Sequence, residues 1–333
     1  MSTNRVITYR EALNEALKEE MRSNENVIIM GEDIGEYGGV FKVTDGLIEE
    51  FGSSRIIDTP ISEAAFSGAG IGAAMTGLIP IIEIMWIDFS LVAIDQILNQ
   101  AAKMTYMSGS QTKVPMVFRT QGGGGRGNAA QHSQSLETIY AHVPGIKVVM
   151  PSSPYDAKGL LKSAIRDEGP IMFIEHKMLY GSRGEVPEEE YTIPIGKANV
   201  VKEGTDVTIA TISKGVEFSL QAADELTESG IHAEVIDMRS LTPLDTDTVI
   251  ESVIKTNRLV VVHEAVKSYG WGAEVASIVQ AEAFDELDAP IYRVGAEETP
   301  VPYNMTLEQE MLPQAKDIVS AVRKSLYLEE GSK

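Results

Sequence analysis

The sequence predicts an α/β protein of two domains, each a mostly parallel sheet covered by helices on both faces, three layers in all. Three observations carry that expectation. Short apolar, β-branched runs alternate with segments of helical spacing through most of the chain. The alternation breaks once, in a stretch rich in Gly, Pro and Glu. The length, 333 residues, suits two domains, and 43% hydrophobic with 23% charged residues is ordinary for a chain with a real core.

In chain order, Thr8 to Glu20 has helical spacing, and VIIMGED (Val27–Asp33) is a short strand ending in glycine and acids. RIIDTPIS (Arg55–Ser62) is a strand with a turn. The uncharged run from Ala64 to Ile82 has the length of a membrane span, but Ser67, Thr76, its glycines and Pro80 make it too weakly apolar. It reads as a buried helix followed by a buried strand, LIPIIEIMW (Leu78–Trp86). Ser90 to Tyr106 is helical, VPMVFRT (Val114–Thr120) is a strand that runs into QGGGGRG, and a helix is expected from Ala129 to Tyr140. IKVVMPS, the helical DAKGLLKSAI and IMFIEH complete a first domain, residues 1–180. Residues 181–199 are the interdomain linker, and the alternation resumes in a smaller domain, 200–333. There the strands are DVTIATI, HAEVIDMRS, RLVVVHE and APIYRV, with helices between them.

Twenty-eight basic residues against 49 acidic ones give a net charge of −21, which argues against a nucleic-acid binder, since phosphate contacts need clustered Lys and Arg. There is no cysteine, so disulfides, thiolate nucleophiles, iron–sulfur clusters and zinc ribbons are excluded. The N-terminus enters a charged helical pattern without an apolar signal core, and the expected location is the cytoplasm.

Gly122, Gly124 and Gly127 satisfy GxGxxG between a strand and a helix. A dinucleotide site also wants an acid at the end of the next strand, but here that strand ends in PSSP, so a mobile active-site loop is the better reading. GxxxxGK[ST], HExxH and GxSxG are absent. Of five histidines, His132 in AAQHSQS is the one beside the glycine loop, at the expected start of a helix. A lone histidine there is more often a hydrogen-bonding residue than a catalyst. Glu63 is the other candidate. From Ala64 to Gly77 every residue except Phe66, Ile71 and Met75 is Gly, Ala, Ser or Thr. The four glycines each cost roughly 1 kcal/mol against alanine in a helix interior. Such a helix implies close approach by neighbours, with Gly68 and Gly72 four apart as at tight helix crossings. A helix N-terminus favours the ionised form of Glu63, and burial favours the neutral one. A buried carboxylate ready to exchange a proton is a catalytic part.

DTPISE (Asp58–Glu63), AAQHSQS (Ala129–Ser135), PSSPYDAKGLL (Pro151–Leu161), IPIGKA (Ile193–Ala198), RSLTPLD (Arg239–Asp245), DAPIYRV (Asp288–Val294) and TPVPYN (Thr299–Asn304) mark a resemblance. The chain resembles, collinearly over nearly its whole length, the β subunits of thiamine-diphosphate-dependent 2-oxo acid dehydrogenases, with the pyruvate and acetoin members most alike. The resemblance implies a pyrimidine-binding domain followed by a transketolase C-terminal-like domain. It implies an oxidoreductase subunit that activates thiamine diphosphate for C–C cleavage and passes the acyl group to a lipoyl carrier.

In that family the glutamate matching Glu63 bonds to N1′ of the cofactor's aminopyrimidine and promotes the imino tautomer that deprotonates the thiazolium. Met85 and Phe89, in EIMWIDF, match positions that pack against the pyrimidine, and His132 matches a histidine of the substrate channel that assists lipoyl transfer. Met116, Ala164, Ile165, Asp167 and Gly169 match a structural potassium site held largely by main-chain carbonyls. MWID at Met85–Asp88 and the GGGGRG loop depart from the pyruvate patterns and leave the substrate open among pyruvate, acetoin and branched-chain 2-oxo acids. No GDG motif is present, and GED at Gly31–Asp33 does not fit it, so the resemblance implies a half-site. An α subunit would supply the magnesium–diphosphate half in an α2β2 heterotetramer, and the dihydrolipoyl acyltransferase core would dock through its small basic domain. A nicotinamide oxidoreductase, a self-sufficient transketolase-type enzyme and a non-catalytic assembly subunit are the rivals.

Overall fold

The computed structural model describes residues 4–328. The chain folds as two compact units, Met1–Gly122 with Ile139–Ile195 and Gly123–Thr138 with Gly196–Lys333.

The first unit begins with β1 (Asn4–Thr8), which pairs antiparallel with β8 (Arg183–Pro187). The stretch 181–199, expected to be linker, therefore contains a paired strand; its Gly and Pro content hid a five-residue extended run. The helix α1 (Tyr9–Ser23) starts on a reciprocal cap between Thr8 and Glu11. Then follow β2 (Val27–Gly31), α2 (Leu47–Phe51), β3 (Ile56–Asp58), α3 (Glu63–Met75), β4 (Ile79–Ile84) and β5 (Met116–Gly122). Between β4 and β5 the expected helix is broken into a 3-10 turn (Ile87–Leu91), a π-helical turn (Gln96–Ala101) and α4 (Ala102–Met107). The remaining elements are β6 (Lys147–Val149), α6 (Pro154–Ile165), which starts on a Ser153 cap with Pro154 in its first turn, and β7 (Pro170–His176). The short α5 (Glu137–Ala141) is all that forms of the helix expected from Ala129 to Tyr140. Ala129 sits at φ 60°, and residues 130–136 are turn or irregular chain.

The strands of this unit lie in the order β6-β7-β5-β4-β2-β3, all parallel. Every residue of β5 and β7 is buried, as expected for strands covered on both faces. Helices α1 and α6 bury Leu13, Leu17, Leu160 and Leu161 in one cluster with Ile29, Ile81, Val117 and Phe173 of the sheet. Polar groups are buried as well. Arg119 of β5 donates to Glu83 of β4 and, at 2.9 Å, to Glu175 of β7, which also accepts from the Tyr180 hydroxyl at 2.6 Å. Burial pushes the Glu175 carboxyl up against the opposing pull of Arg119. Three adjacent strands are thereby tied together toward their C-terminal ends.

In the second unit β9 (Asn199–Lys202), β10 (Val207–Thr211), α7 (Gly215–Glu228), β11 (Ala233–Asp237), the short β12 (Ser240–Thr242), α8 (Thr246–Thr256), β13 (Leu259–Val266), α9 (Trp271–Glu282), β14 (Tyr292–Ala296), α10 (Met305–Met311) and α11 (Ala315–Ser325) follow one another. A five-stranded sheet among the described residues has the order β14-β13-β10-β11-β9, parallel except for the β11–β9 pair. Its core joins Val207, Ile209, Val235, Val260 and Val262 to Ala222, Leu226, Ile318 and Val322 of α7 and α11. Among the described residues no helix is long and apolar enough to cross a membrane.

Removing the charge that unites the first sheet leaves two carboxylates buried without it. Arg119→Ala is expected to cost about 3–5 kcal/mol, read by urea denaturation, and a loss below 1 kcal/mol would refute the assigned role.

Candidate active site

In parallel sheets, ligands bind beyond the C-terminal ends of the strands, where neighbouring connections diverge. Strands β2 and β4 are neighbours, and the connection leaving β2 runs to β3 on one side while the connection leaving β4 runs to β5 on the other. Gly31 closes β2 opposite Asp58 and Glu83. Only glycine fits there, because a Cβ would lie 2.7 Å from the Glu83 carbonyl oxygen. The next residue, Glu32, is 7% exposed, and Glu63, the first residue of α3, is 6% exposed. Burial first, then the charges of Glu63 and Asp33, push the Glu32 carboxyl up to about 7. Its Oε1 is buried without a hydrogen-bond partner. Two buried carboxylates thus face one another electrostatically, and one of them holds its proton near neutrality.

The loop after β2 is fastened to β3: Gly35 donates its N–H to Asp58 at 2.7 Å, and Thr59 donates to the Gly31 carbonyl at 2.9 Å. Met85 follows β4 directly, half-buried, with its carbonyl accepting from Gln121 Nε2 at 3.0 Å. Phe89, also half-buried, lies in the 3-10 turn and donates its N–H to the Trp86 carbonyl at 2.9 Å. The Trp86 ring meets Phe41 edge-on at 5.4 Å, and the buried Lys177 ammonium lies 5.1 Å from the Trp86 centroid. Glu32 is the site residue that sequence reasoning misses. Its signal is an acid directly after the glycine that ends an apolar strand, in the GED that fails as a diphosphate motif.

The small residues of α3 divide into two sides. Phe66, Ser67, Gly70, Ile71 and Ala74 are buried, while Ala64, Ala65, Ala69 and Gly72 are exposed. Gly70 is required within the chain, since a Cβ would meet Ile82 Cδ1 at 2.5 Å. A Cβ on Gly72 would meet nothing within 4 Å, so close approach all round is not achieved by this chain's own residues.

His132 belongs to the second unit and Glu63 to the first. His132 is half-buried in irregular chain rather than at a helix start, within a loop closed at its base by the Gly123 N–H on the Gln134 carbonyl, 3.1 Å. The glycine N–H groups of this loop are already occupied. Gly124 donates to Glu264 at 2.7 Å, and Gly125 and Gly127 donate to the two oxygens of Glu308 at 2.9 and 2.7 Å. A phosphate would find those donors taken, which removes the physical basis of a dinucleotide site. Nearby Glu137 is buried, and burial together with the Glu264 charge pushes its carboxyl up to about 7.

Of the positions matched to a potassium site, Met116 opens β5 and pairs with Pro170, the residue after Gly169. Ala164 and Ile165 end α6, where helix carbonyls point outward, and the Asp167 carboxylate accepts from Gly169 N–H at 3.0 Å while pairing with Lys147. The Ala164 carbonyl accepts from the Asp167 N–H at 3.3 Å.

The fold and site define a class: residues 5–183 match the model of the transketolase pyrimidine-binding domain, and residues 196–318 match that of the transketolase C-terminal domain. A solved structure titled a split gene transketolase, inactive beta4 tetramer, superposes with a TM-score of 0.80 at 26% identity, covering 97% of this chain and 99% of that one. Curated relatives are more specific. The chain is 51% identical over 321 residues to the pyruvate dehydrogenase E1 component subunit beta of Rickettsia felis, covering 96% of this chain and 98% of the relative. It is 48% identical to the acetoin:2,6-dichlorophenolindophenol oxidoreductase subunit beta of Bacillus subtilis, covering 95% and 96%. The chain belongs to the family of E1 beta subunits of thiamine-diphosphate-dependent dehydrogenases.

The Glu32 carboxyl gives a test with a definite sign. Unfolded, it releases its proton at the ordinary 4.5; folded, it holds it to about 7. The folded state therefore binds more protons between those values, and this contribution to stability is full at low pH and lost as pH rises through 7. Glu32→Gln is expected to raise the melting temperature at pH 8 relative to the parent and to flatten the fall in stability between pH 5 and 7. An unchanged pH profile would show that Glu32 is not buried as described. Glu137, raised in the same window, leaves a residual slope.

Proposed function

We propose that this chain is the β half of a pyruvate- or acetoin-type dehydrogenase, activating thiamine diphosphate for C–C cleavage and passing the acyl group to a lipoyl carrier. The observation that carries this reading is the buried Glu32–Glu63 pair at the C-terminal ends of the strands, with one carboxylate oxygen lacking any protein partner. Such a pair fits the nitrogen-rich edge of an aminopyrimidine. When bound, the cofactor supplies an acidic ring carbon that adds to a carbonyl and stabilises the charge left by cleavage. Glu63, fixed at the start of α3, holds the ring nitrogen, and Glu32 keeps a proton beside it. Met85 and Phe89 pack against the ring, and His132 assists transfer to the lipoyl group. The main-chain carbonyls around Met116, Ala164, Ile165 and Gly169, with Asp167, hold a potassium ion away from the chemistry.

With no GDG motif, the magnesium–diphosphate half belongs to an α subunit in an α2β2 assembly. The exposed small-residue side of α3 supports this, because Gly72 has no use within the chain yet carries a helix penalty. The net charge of −21 suits docking on a basic domain of the acyltransferase core. Pyruvate and acetoin are favoured over branched-chain acids by the names of the relatives.

Calorimetry with magnesium is expected to show thiamine diphosphate binding only after the α subunit is added. Glu63→Gln is expected to lower turnover by roughly 10²–10⁴-fold. Tight binding by this chain alone, or full turnover by Glu63→Gln, would overturn the reading. Gly72→Ala is expected to stabilise the isolated chain by about 1 kcal/mol and to weaken association with the α subunit in sedimentation. Unimpaired association would mean that no partner backbone comes close there.

A further inference from the structure

The loop from Gly123 to Gln134 carries His132 and is rich in glycine, which leaves its backbone little conformational preference of its own. Two carboxylates on distant parts of the second unit hold its glycine N–H groups. Glu264 lies on β13 and takes the Gly124 N–H at 2.7 Å. Glu308 lies on α10, is 1% exposed, and takes the Gly125 and Gly127 N–H groups with separate oxygens at 2.9 and 2.7 Å. All three of these glycine donors are thereby bound by charged acceptors, the stronger kind of hydrogen bond.

Packing fits the same arrangement. A Cβ on Gly124 would meet Leu312 Cδ1 at 2.7 Å, and one on Gly127 would meet Met305 Cγ at 3.1 Å, so the loop backbone lies directly against α10 and its flanks. Asn304 fixes that helix by accepting from the N–H groups of Thr306 and Leu307 at 3.0 and 3.2 Å. The base of the loop is closed by Gly123 on Gln134. His132 therefore lies on a closed loop that is pinned on one side by Glu308 and Glu264.

We propose that Glu308 is a positioning residue for the acyl-transfer step: its carboxylate holds the glycine loop and, through it, His132. This rests on the role given to His132 above, and two independent readouts separate the claims. Glu308→Gln keeps the volume but turns one acceptor into a donor facing a glycine N–H, so one clamp is replaced by a repulsion.

Arg126, exposed at the loop tip between the two clamped glycines, makes the loop its own reporter. In the full chain, trypsin cleavage after Arg126 is expected to rise roughly tenfold or more in Glu308→Gln, because cleavage follows the population of the opened loop. In the enzyme assembled with its α subunit, reductive acylation of a lipoyl domain is expected to fall at least roughly tenfold, with decarboxylation measured by dye reduction much less affected. A Glu308→Gln, His132→Ala double variant is expected to transfer no more slowly than His132→Ala alone.

Unchanged cleavage at Arg126 would overturn the clamp. Faster cleavage with unchanged acyl transfer would overturn the positioning role, and so would equal losses in both reactions. If His132→Ala alone leaves transfer intact, the reading of His132 fails, while the cleavage result still decides the clamp. Should Glu308→Gln fail to fold, amide exchange in the unaltered chain decides: slow exchange at Gly125 and Gly127 supports the clamp, and exchange at the rate of free loop amides overturns it.

Discussion

A single buried guanidinium organises the first sheet. Arg119 draws Glu83 and Glu175 from the strands on either side, and Tyr180 completes the set on Glu175. Burial, followed by the charge of Glu175, drives the Tyr180 phenol far up, so it stays protonated and donates. Buried charge of this kind contributes little net stability, but a missing member is costly, so the three strand ends are held in one arrangement. Met85 follows one of these strands, and Gln121, which fixes the Met85 carbonyl, lies on another. Met85 is thereby anchored to two of the strands that the ionic tie joins.

The remaining acids follow a different logic. Glu32 and Glu63 are buried, and it is acids rather than cations that act on Glu32, which is why burial leaves it near neutrality instead of fully ionised. Glu308 is buried too, but two backbone N–H groups satisfy it. Carboxylates of one chemical type thus differ by what faces them: Glu308 has donors of its own and holds the backbone, whereas Glu32 keeps a buried oxygen without a protein partner.

The glycines show how far sequence reading reaches. GxGxxG at Gly122, Gly124 and Gly127 invites a nucleotide reading, which the sequence already disfavours for lack of a following acid; the structure adds that the donors are spent on Glu264 and Glu308. Nothing near the loop in sequence could reveal those partners, which lie about 140 and 180 residues away. Small residues along α3 suggest close packing on every side, and the structure shows it on one side only, separating Gly70, against Ile82, from Gly72, with nothing near it. Of the helix expected across Ala129–Tyr140 only Glu137–Ala141 forms, with Ala129 left-handed and the residues between them irregular.

By itself the sequence determined the class of the protein and most of its strands, because strands buried on both faces must be apolar and β-branched runs between helical spacings. It also singled out Glu63 as a candidate and shows no GDG motif, since both are matters of residue type at short spacing. Tertiary structure alone decided that Glu32 joins Glu63, that Arg119 ties three strands, and that α10 holds the loop of His132. Each of these is a pairing of charge or hydrogen bond across long separations, and a side chain's protonation and partners depend on what the fold brings beside it, which no local pattern encodes.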